Sequence, residues 1–208
     1  SNRKKWLNRV STFSGPHHLY PVVLNGRNLS EHEPALRELE VVFATWGMPA
    51  FSEEQFELLP KLKAVFYAAG NVKGFAHPLI ERDILLISAW AINAIPVAEM
   101  VLAQILLTGR GYFRAVRGYR ENRRSGEAKS FLHFGVKGET IGVIGLGQIG
   151  TRLTEHLQRF GFRVLAYDPF LTAEGASELG VERVSLKELF ERSYVVSNHT
   201  PDLATTKD

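Results

Sequence analysis

Short apolar runs alternate with helical patterns over about the first ninety residues of the chain. The runs are rich in β-branched and aromatic residues, as buried strands are, and they occupy residues 22–24, 41–45, 64–67 and 84–88. Helical patterns lie between them at residues 33–39, 52–59 and 75–82, and Ser52 is the predicted N-cap of the second. Strands joined by helical crossovers predict a parallel sheet, so we expect a small α/β domain here.

A longer apolar stretch follows and predicts a single long helix over residues 96–120. Pro96 suits the first turn of a helix, and Gly109 and Gly111 are expected to weaken or bend it. The first half is apolar on nearly every face, which predicts cover on more than one side, at a domain junction or a subunit interface. The polar residues 121–139 then lead to a second α/β unit that begins at Thr140.

Composition is typical of a globular protein. The chain has 208 residues, of which 45% are hydrophobic and 23% charged, and its net charge is only +3, which demands neither a nucleic acid nor a membrane as partner. The absence of Cys excludes disulfides and thiolate chemistry. The basic N-terminus lacks the apolar segment of a secretory signal, and no uninterrupted apolar run approaches the roughly 20 residues that span a bilayer. We therefore expect a cytoplasmic protein.

Three glycines, Gly145, Gly147 and Gly150, follow the apolar strand predicted at 140–144 in the pattern GxGxxG. An amphipathic helix is predicted after them, and the next strand ends at Asp168, eighteen residues beyond Gly150. Glycine turn, helix and acid at these distances form the fingerprint of a dinucleotide site. The alternative is an ordinary strand-to-helix turn with an incidental Asp.

Each glycine of the fingerprint has a distinct physical role. Gly145 permits the tight turn, Gly147 lets the backbone approach a pyrophosphate, and Gly150 lets the helix pack closely. The amides of Gln148 and Ile149 are expected to face the phosphate at the positive end of the helix.

The acid at the end of the second strand predicts the choice of cofactor. Asp168 would accept hydrogen bonds from the adenosine ribose and repel the 2′-phosphate of NADP. Pro169 and Phe170 supply no cation to offset that repulsion, so NAD is the predicted cofactor. A helix capped by Ser185 and a strand over 194–198 complete a βαβαβ unit, one half of a doubly wound domain, and we expect the chain to be part of a longer polypeptide.

The order of these motifs resembles that of the D-isomer-specific 2-hydroxyacid dehydrogenases. The resemblance rests on residues 59–72, 81–110, 138–150 and 166–169 and on the stretch NHTPDLATT. It implies a flavodoxin-like substrate domain over 1–98 and a Rossmann-type NAD-binding domain over 99–208, only its first half present, entered through the long helix. It also implies hydride transfer between NAD(H) and a small D-2-hydroxy acid or 2-keto acid, and a homodimer.

The resemblance also assigns roles to individual residues. The backbone amides of Ala69, Gly70 and Asn71 would hold the substrate carboxylate, and Thr200 and Pro201 would lie beneath the adenosine half of NAD. Val97 and Glu99 would lie where the first domain meets the cofactor. Two departures from the family pattern, Lys73 and Trp90, concern the shape of the substrate pocket.

No catalytic residue is predicted within the chain, because the family's catalytic Arg, Glu and His would fall beyond Asp208. His199 ends a strand and is the candidate general base, but the resemblance places it in the cofactor loop. A non-catalytic NAD-sensing regulator, like the corepressors of the same fold, is the alternative function.

Two further sets of residues carry weaker signals. The histidines show no metal-ligand spacing, so no metal site is predicted. A basic stripe at helical spacing is expected to be a solvated or subunit-facing side of the helix rather than a surface for an anionic substrate or a nucleic acid. It consists of Arg110, Arg114, Arg117, Arg120 and Arg124.

Overall fold

The computed structural model describes residues 18–122, 135–203 and 206. The chain divides into two compact units, Ser1–Ala89 and Trp90–Asp208, and each is built around a parallel sheet. The predicted α/β class is confirmed. The assignment of a substrate domain to 1–98 and a cofactor domain to 99–208 remains a prediction.

The first unit is a three-stranded parallel sheet with strands in the order β1-β2-β3. After a 3-10 helix, Leu29–His32, its elements are α1 (Glu33–Leu36), β1 (Val41–Ala44), α2 (Glu53–Glu57), β2 (Ala64–Tyr67), α3 (Ala76–Ile80) and β3 (Leu85–Ser88). Val65 in the central strand is fully buried and packs in one cluster with Leu36 and Leu79 from two of the helices. Ser52 caps α2 through a capping box with Gln55, as the sequence predicts.

The strand predicted at residues 22–24 is absent. Val22 and Val23 are exposed, and the carbonyl of Val23 accepts a hydrogen bond from the side chain of Asn28 instead of a strand partner. Asn25 and Asn28 then organise a turn through side-chain bonds to backbone amides. A three-residue apolar run next to such turn residues has no neighbouring strand to pair with.

The predicted long helix is two helices, α4 (Trp90–Gly109) and α5 (Tyr112–Asn122). It starts six residues earlier than predicted, so Pro96 lies inside α4 rather than in its first turn. The break falls at Gly111, whose φ of +70° is left-handed and ends the first helix. The amide of Ala115 already bonds to the carbonyl of Gly111, so the second helix follows at once.

Helix α4 meets the length and composition of a membrane-crossing helix. Its most apolar window has a mean hydropathy of 1.6, and 17% of that window is buried. The 20 residues of α4 include the polar residues Asn93, Glu99 and Gln104. Ala98 and Ile105 of α4 are buried in the core of the second unit. The core helix of a globular protein packs in the same way.

The second unit contains a four-stranded parallel sheet in the order β6-β5-β4-β7. This is the order 3-2-1-4 of the first four strands of a Rossmann-type sheet. Its elements are β4 (Thr140–Ile144), α6 (Gln148–Arg159), β5 (Arg163–Tyr167), α7 (Ala173–Leu179), β6 (Glu182–Arg183), α8 (Leu186–Arg192) and β7 (Val195–Asn198). Strand β6 and helix α7 are not predicted by the sequence patterns.

Helices cover both faces of this sheet, and β4 is buried between them. Ile141 and Val143 pack with Leu153 and Leu157 of α6 on one face. On the other face, a Cβ atom added to Gly142 would lie 2.5 Å from the Cδ2 atom of Leu189 in α8. Strand β4 is therefore central, and its carboxyl end is the place where the glycine turn begins.

Candidate functional site

The candidate site lies at the carboxyl ends of β4 and β7. The chain runs outward from β4 to β5 and β6 and then returns to the other side of β4 at β7, which makes this point the topological switch of the sheet. Ligands of doubly wound proteins bind in the crevice at such a point. The loop after β4 and the loop after β7 border it, because a Cβ atom at Gly145 would lie 3.0 Å from the carbonyl carbon of His199.

Two of the three motif glycines are required by the protein itself. Gly145 has a φ of +85°, which side chains disfavour. A Cβ atom at Gly150 would lie 2.0 Å from the carbonyl oxygen of Gly145, so helix α6 could not approach the turn with any other residue there. These positions explain a glycine-rich turn without any ligand.

Gly147 is not required by the fold. Its φ of −72° and ψ of −163° suit any residue, and an added Cβ atom would have no neighbour within 4 Å. The open space beside Gly147 fits a group that approaches the backbone from outside the protein. This observation favours the cofactor interpretation over the ordinary turn.

Among the residues that the structure describes, no side chain caps the first turn of α6. Ser52, Thr172 and Ser185 cap their helices with side-chain oxygens, whereas α6 begins after Gly147 with no side-chain cap. The amide groups at the start of a helix have no carbonyl acceptor within the helix. Those of Gln148 and Ile149 are therefore available to an anion at the positive end of a 12-residue helix.

Asp168 is held directly against the glycine turn. One carboxylate oxygen accepts the backbone amide of Leu146 at 2.7 Å, and the other accepts the amide of Phe170 at 2.8 Å. The carboxylate is part-buried and lies at the carboxyl end of β5, next to the end of β4. The acid and the glycine turn thus form one rigid arrangement.

A cavity of about 460 Å³ opens next to Asp168. It lies at the carboxyl ends of β5 and β6 and at the start of α8. Its lining residues are Tyr167, Asp168, Pro169, Arg183, Val184, Ser185 and Glu188. A cationic side chain, Arg183, therefore shares a cavity with the acid of the fingerprint.

The loop after β7 contains His199, Thr200 and Pro201. The side chain of Asn198 accepts hydrogen bonds from the Thr200 amide at 3.0 Å and from its hydroxyl at 2.9 Å, which fixes the loop. The His199 ring is hydrogen-bonded to the Ser197 hydroxyl at 2.9 Å, and burial lowers the pKa of His199 below its ordinary value. Burial thus favours the neutral form of the ring, and the backbone of His199 lies against Gly145.

The loop of Ala69, Gly70 and Asn71 lies at the carboxyl end of β2 in the first unit. The Ser88 hydroxyl donates one bifurcated hydrogen bond, shared between the carbonyl oxygens of Ala69 at 3.2 Å and Gly70 at 2.9 Å. In a trans peptide the amide points opposite to the carbonyl, so the amides of Gly70 and Asn71 are directed away from Ser88. In the described part of the chain, the three loop amides donate to no other residue.

The remaining predicted residues have varied positions. Val97 and Glu99 lie on α4, Trp90 is its first residue, and the amide of Lys73 bonds to the Asn71 side chain at 2.9 Å. Arg114, Arg117 and Arg120 are exposed on α5, Arg110 lies between α4 and α5, and Arg124 lies outside the described residues. Over residues 18–122 and 135–203, no group of three His, Asp or Glu side chains could hold a metal.

The sequence of the second unit matches a known protein family. Residues 102–208 match the model of the D-isomer specific 2-hydroxyacid dehydrogenase, NAD binding domain. The chain belongs to this family. Its second unit is accordingly an NAD-binding domain of the D-isomer specific 2-hydroxyacid dehydrogenases, as the resemblance of motifs predicts.

Individual relatives agree with this membership. D-3-phosphoglycerate dehydrogenase of Mycobacterium tuberculosis is 33% identical over 148 residues, which are 71% of this chain and 28% of the relative. The apo structure of D-lactate dehydrogenase from Escherichia coli has a TM-score of 0.69 and 29% identity, covering 97% of this chain and 63% of that one. D-lactate dehydrogenase from Aquifex aeolicus, complexed with NAD and lactic acid, has a TM-score of 0.66 and 27% identity over 84% and 52% of the two chains. The chain thus spans less than two thirds of each of these family members.

The sequence does not predict the positions of two residues of the candidate site. Leu146 occupies a variable position of the motif, and only the pairing of β4 with β5 places its amide beside Asp168. Arg183 lies on β6, a two-residue polar strand without an apolar pattern. A fingerprint read along the chain contains no signal for either contact.

We predict that Asp168 stabilises the domain in the absence of any cofactor. Asp168→Ala removes a charged acceptor from two backbone amides and is expected to lower the free energy of unfolding by about 2 to 3 kcal/mol. Asp168→Asn, which keeps one acceptor oxygen, should cost less. Urea denaturation checks this, with Glu155→Ala, an exposed carboxylate on α6, as the control. Equal effects of Asp168→Ala and Glu155→Ala would contradict the prediction.

Proposed function

We propose that the protein is an NAD-dependent oxidoreductase that transfers a hydride between NAD(H) and a small D-2-hydroxy acid or 2-keto acid. Gly147 is the observation that carries the proposal: its missing side chain serves a ligand, since the fold itself does not need it. Bound nicotinamide would supply the hydride acceptor or donor. Family membership and the enzyme names of the relatives favour this function over an NAD-sensing regulator.

The protein's own residues would hold the cofactor along the crevice. The amides of Gln148 and Ile149 at the uncapped start of α6 would bind the pyrophosphate. Asp168 would accept the ribose hydroxyls with the lone pairs that its two amide bonds leave, and its charge would favour NAD over NADP. Thr200 and Pro201 would lie beneath the adenosine.

The loop of Ala69, Gly70 and Asn71 would bind the carboxylate of the substrate. The support is the Ser88 hydroxyl, which holds two carbonyls and so directs the amides of Gly70 and Asn71 the other way. Amide donors to a carboxylate are charge-assisted and orient the acid without a cationic side chain. No catalytic residue is assigned within residues 1–208, and His199 is more suited to the cofactor wall than to proton transfer.

We predict that Gly147→Ala separates cofactor binding from folding. The new methyl group would meet no protein atom, so the free energy of unfolding should change by about 1 kcal/mol or less. The methyl group would occupy the space beside the pyrophosphate amides, so the NADH dissociation constant should rise by about tenfold or more. Fluorescence titration of the unmodified protein and the variant measures this.

The matched control is Gly175→Ala in α7, where the added Cβ atom would make only ordinary contacts with Thr172 and Leu171. This variant should bind NADH as the unmodified protein does. Unchanged NADH affinity in Gly147→Ala would contradict the cofactor role of the turn.

We predict that the acid group of the substrate controls turnover. Each charge-assisted amide bond is worth about 1.5 to 3 kcal/mol, so a ketone or aldehyde without the carboxylate should lose most of kcat/KM. Glyoxylate, pyruvate, hydroxypyruvate and an aryl pyruvate are compared with an acid-free analogue, using NADH and the full-length protein. Comparable turnover of the acid-free compound would refute the role of the loop, and preference for the aryl substrate would show that Trp90 does not limit the substituent.

We further propose a homodimer that buries exposed apolar residues of α4. Trp90, Ile92 and Met100 on this helix are 56%, 68% and 61% exposed, and large exposed apolar side chains are common at interfaces. A cytoplasmic location and the absence of nucleic-acid and membrane partners remain predictions.

Light scattering at micromolar concentration is expected to give the mass of a dimer. Met100→Glu should shift the protein toward the monomer, because it places a charge in the proposed contact. Phe190→Glu on α8, where Phe190 is 59% exposed, is the control and should remain dimeric. A monomeric unmodified protein would contradict the proposal.

A further inference from the structure

Charged side chains line the cavity beside Asp168, and they bear on the relative affinities of the site for NAD and NADP. Asp168 and Glu188 are its acidic lining residues, and Arg183 is its basic one. The sequence motif contains no cation after the acid, since Pro169 and Phe170 follow it directly. The structure adds one from the neighbouring strand.

Strand pairing brings Arg183 to this position. Arg183 on β6 is in register with Ala166 on β5, two residues before Asp168. The amide of Val184 donates to the carbonyl of Ala166 at 3.1 Å, which continues the pairing toward the cavity. The side chain is thus attached at the carboxyl edge of the sheet, beside the acid of the fingerprint.

The two acids of the cavity are already engaged, whereas Arg183 is not. Asp168 accepts two backbone amides, and Glu188 accepts the amide of Ser185 at 2.9 Å and its hydroxyl at 2.7 Å. Across the residues that the structure describes, Arg183 forms no ion pair or hydrogen bond. Its guanidinium group is available to an anion that enters the cavity.

We propose that Arg183 is a second specificity-determining residue of the cofactor site, which favours a 2′-phosphate where Asp168 disfavours it. The inference rests on the proposed binding of the adenosine ribose at Asp168. A 2′-phosphate on that ribose would be next to the carboxylate and at the mouth of the cavity that Arg183 lines. A guanidinium group matches phosphate in geometry and charge. The net preference for NADH is therefore the difference between two opposing effects.

The test measures dissociation constants of NADH and NADPH by fluorescence titration of the full-length protein. The unmodified protein is expected to prefer NADH by at least about tenfold. Arg183→Ala should widen this ratio by about threefold or more, by weakening NADPH with little change in NADH. Asp168→Asn should narrow the ratio, and Asp168→Asn/Arg183→Ala should lose the NADPH affinity gained by Asp168→Asn.

Two controls separate a specific contact from a general charge effect. Lys187→Ala removes the same charge from an 84%-exposed side chain on α8 outside the cavity and should leave the ratio unchanged. The effect of Arg183→Ala should shrink as salt rises, because salt screens the attraction of partly exposed charges. Asp168→Asn is compared at temperatures where denaturation curves show it to be folded.

The outcomes distinguish this inference from the function on which it rests. An NADPH-selective loss in Arg183→Ala supports it. Equal changes for both cofactors, no change for either, or the same shift in Lys187→Ala overturn it while leaving NAD binding intact. Binding of neither cofactor by the unmodified protein overturns the proposed function as well.

Discussion

The hydrogen bond from the Leu146 amide to the Asp168 carboxylate holds together the strand ends on which the candidate site depends. The ladder between β4 and β5 ends at the bond from Gly145 to the carbonyl of Tyr167, after which the two chains are free to diverge. The carboxylate bridges this gap and also fixes the amide of Phe170. The amides that we propose bind the phosphate and the acid that we propose binds the ribose are therefore positioned by one contact, and the loss of Asp168 would disturb both.

The three glycines of the motif differ in whether the fold itself requires a glycine at that position. Gly145 and Gly150 have no alternative, because one is left-handed and the other touches the carbonyl of the first. A compact turn without a ligand would still require glycine at these two positions. Gly147 has ordinary dihedral angles and open space around it, so the fold does not require glycine there, and we propose that a cofactor does.

The parts of the structure that the sequence predicts well are those determined by local patterns. Strands β4 and β5 and helix α6 follow from hydrophobic periodicity, and the hydroxyls of Ser52 and Ser185 cap their helices as expected. The bend expected at Gly109 and Gly111 is confirmed by the break at Gly111, whereas the start of α4 at Trp90 is not predicted, because an apolar helix tolerates Pro96 and shows no period.

The parts that the sequence does not predict depend on contacts between distant residues. Strand β6 has only two residues, both polar, and it exists because it pairs with the edge of β5. The same pairing brings Arg183 to the cavity of Asp168, fifteen positions away along the chain. The motif alone therefore predicts the acid proposed to disfavour NADP and does not predict the cation proposed to oppose it.

Both proposed anion sites use backbone amides at the carboxyl ends of parallel strands. At the loop of Gly70 and Asn71 the carbonyls are held by Ser88, and at α6 the amides are left uncapped after Gly147. Recognition by backbone leaves the side chains free to vary without loss of the acid group. The class of substrate would then be fixed by the fold, and the individual substrate by side chains such as Trp90. This proposed division would account for a family in which relatives of similar identity are named for substrates as different as phosphoglycerate and lactate.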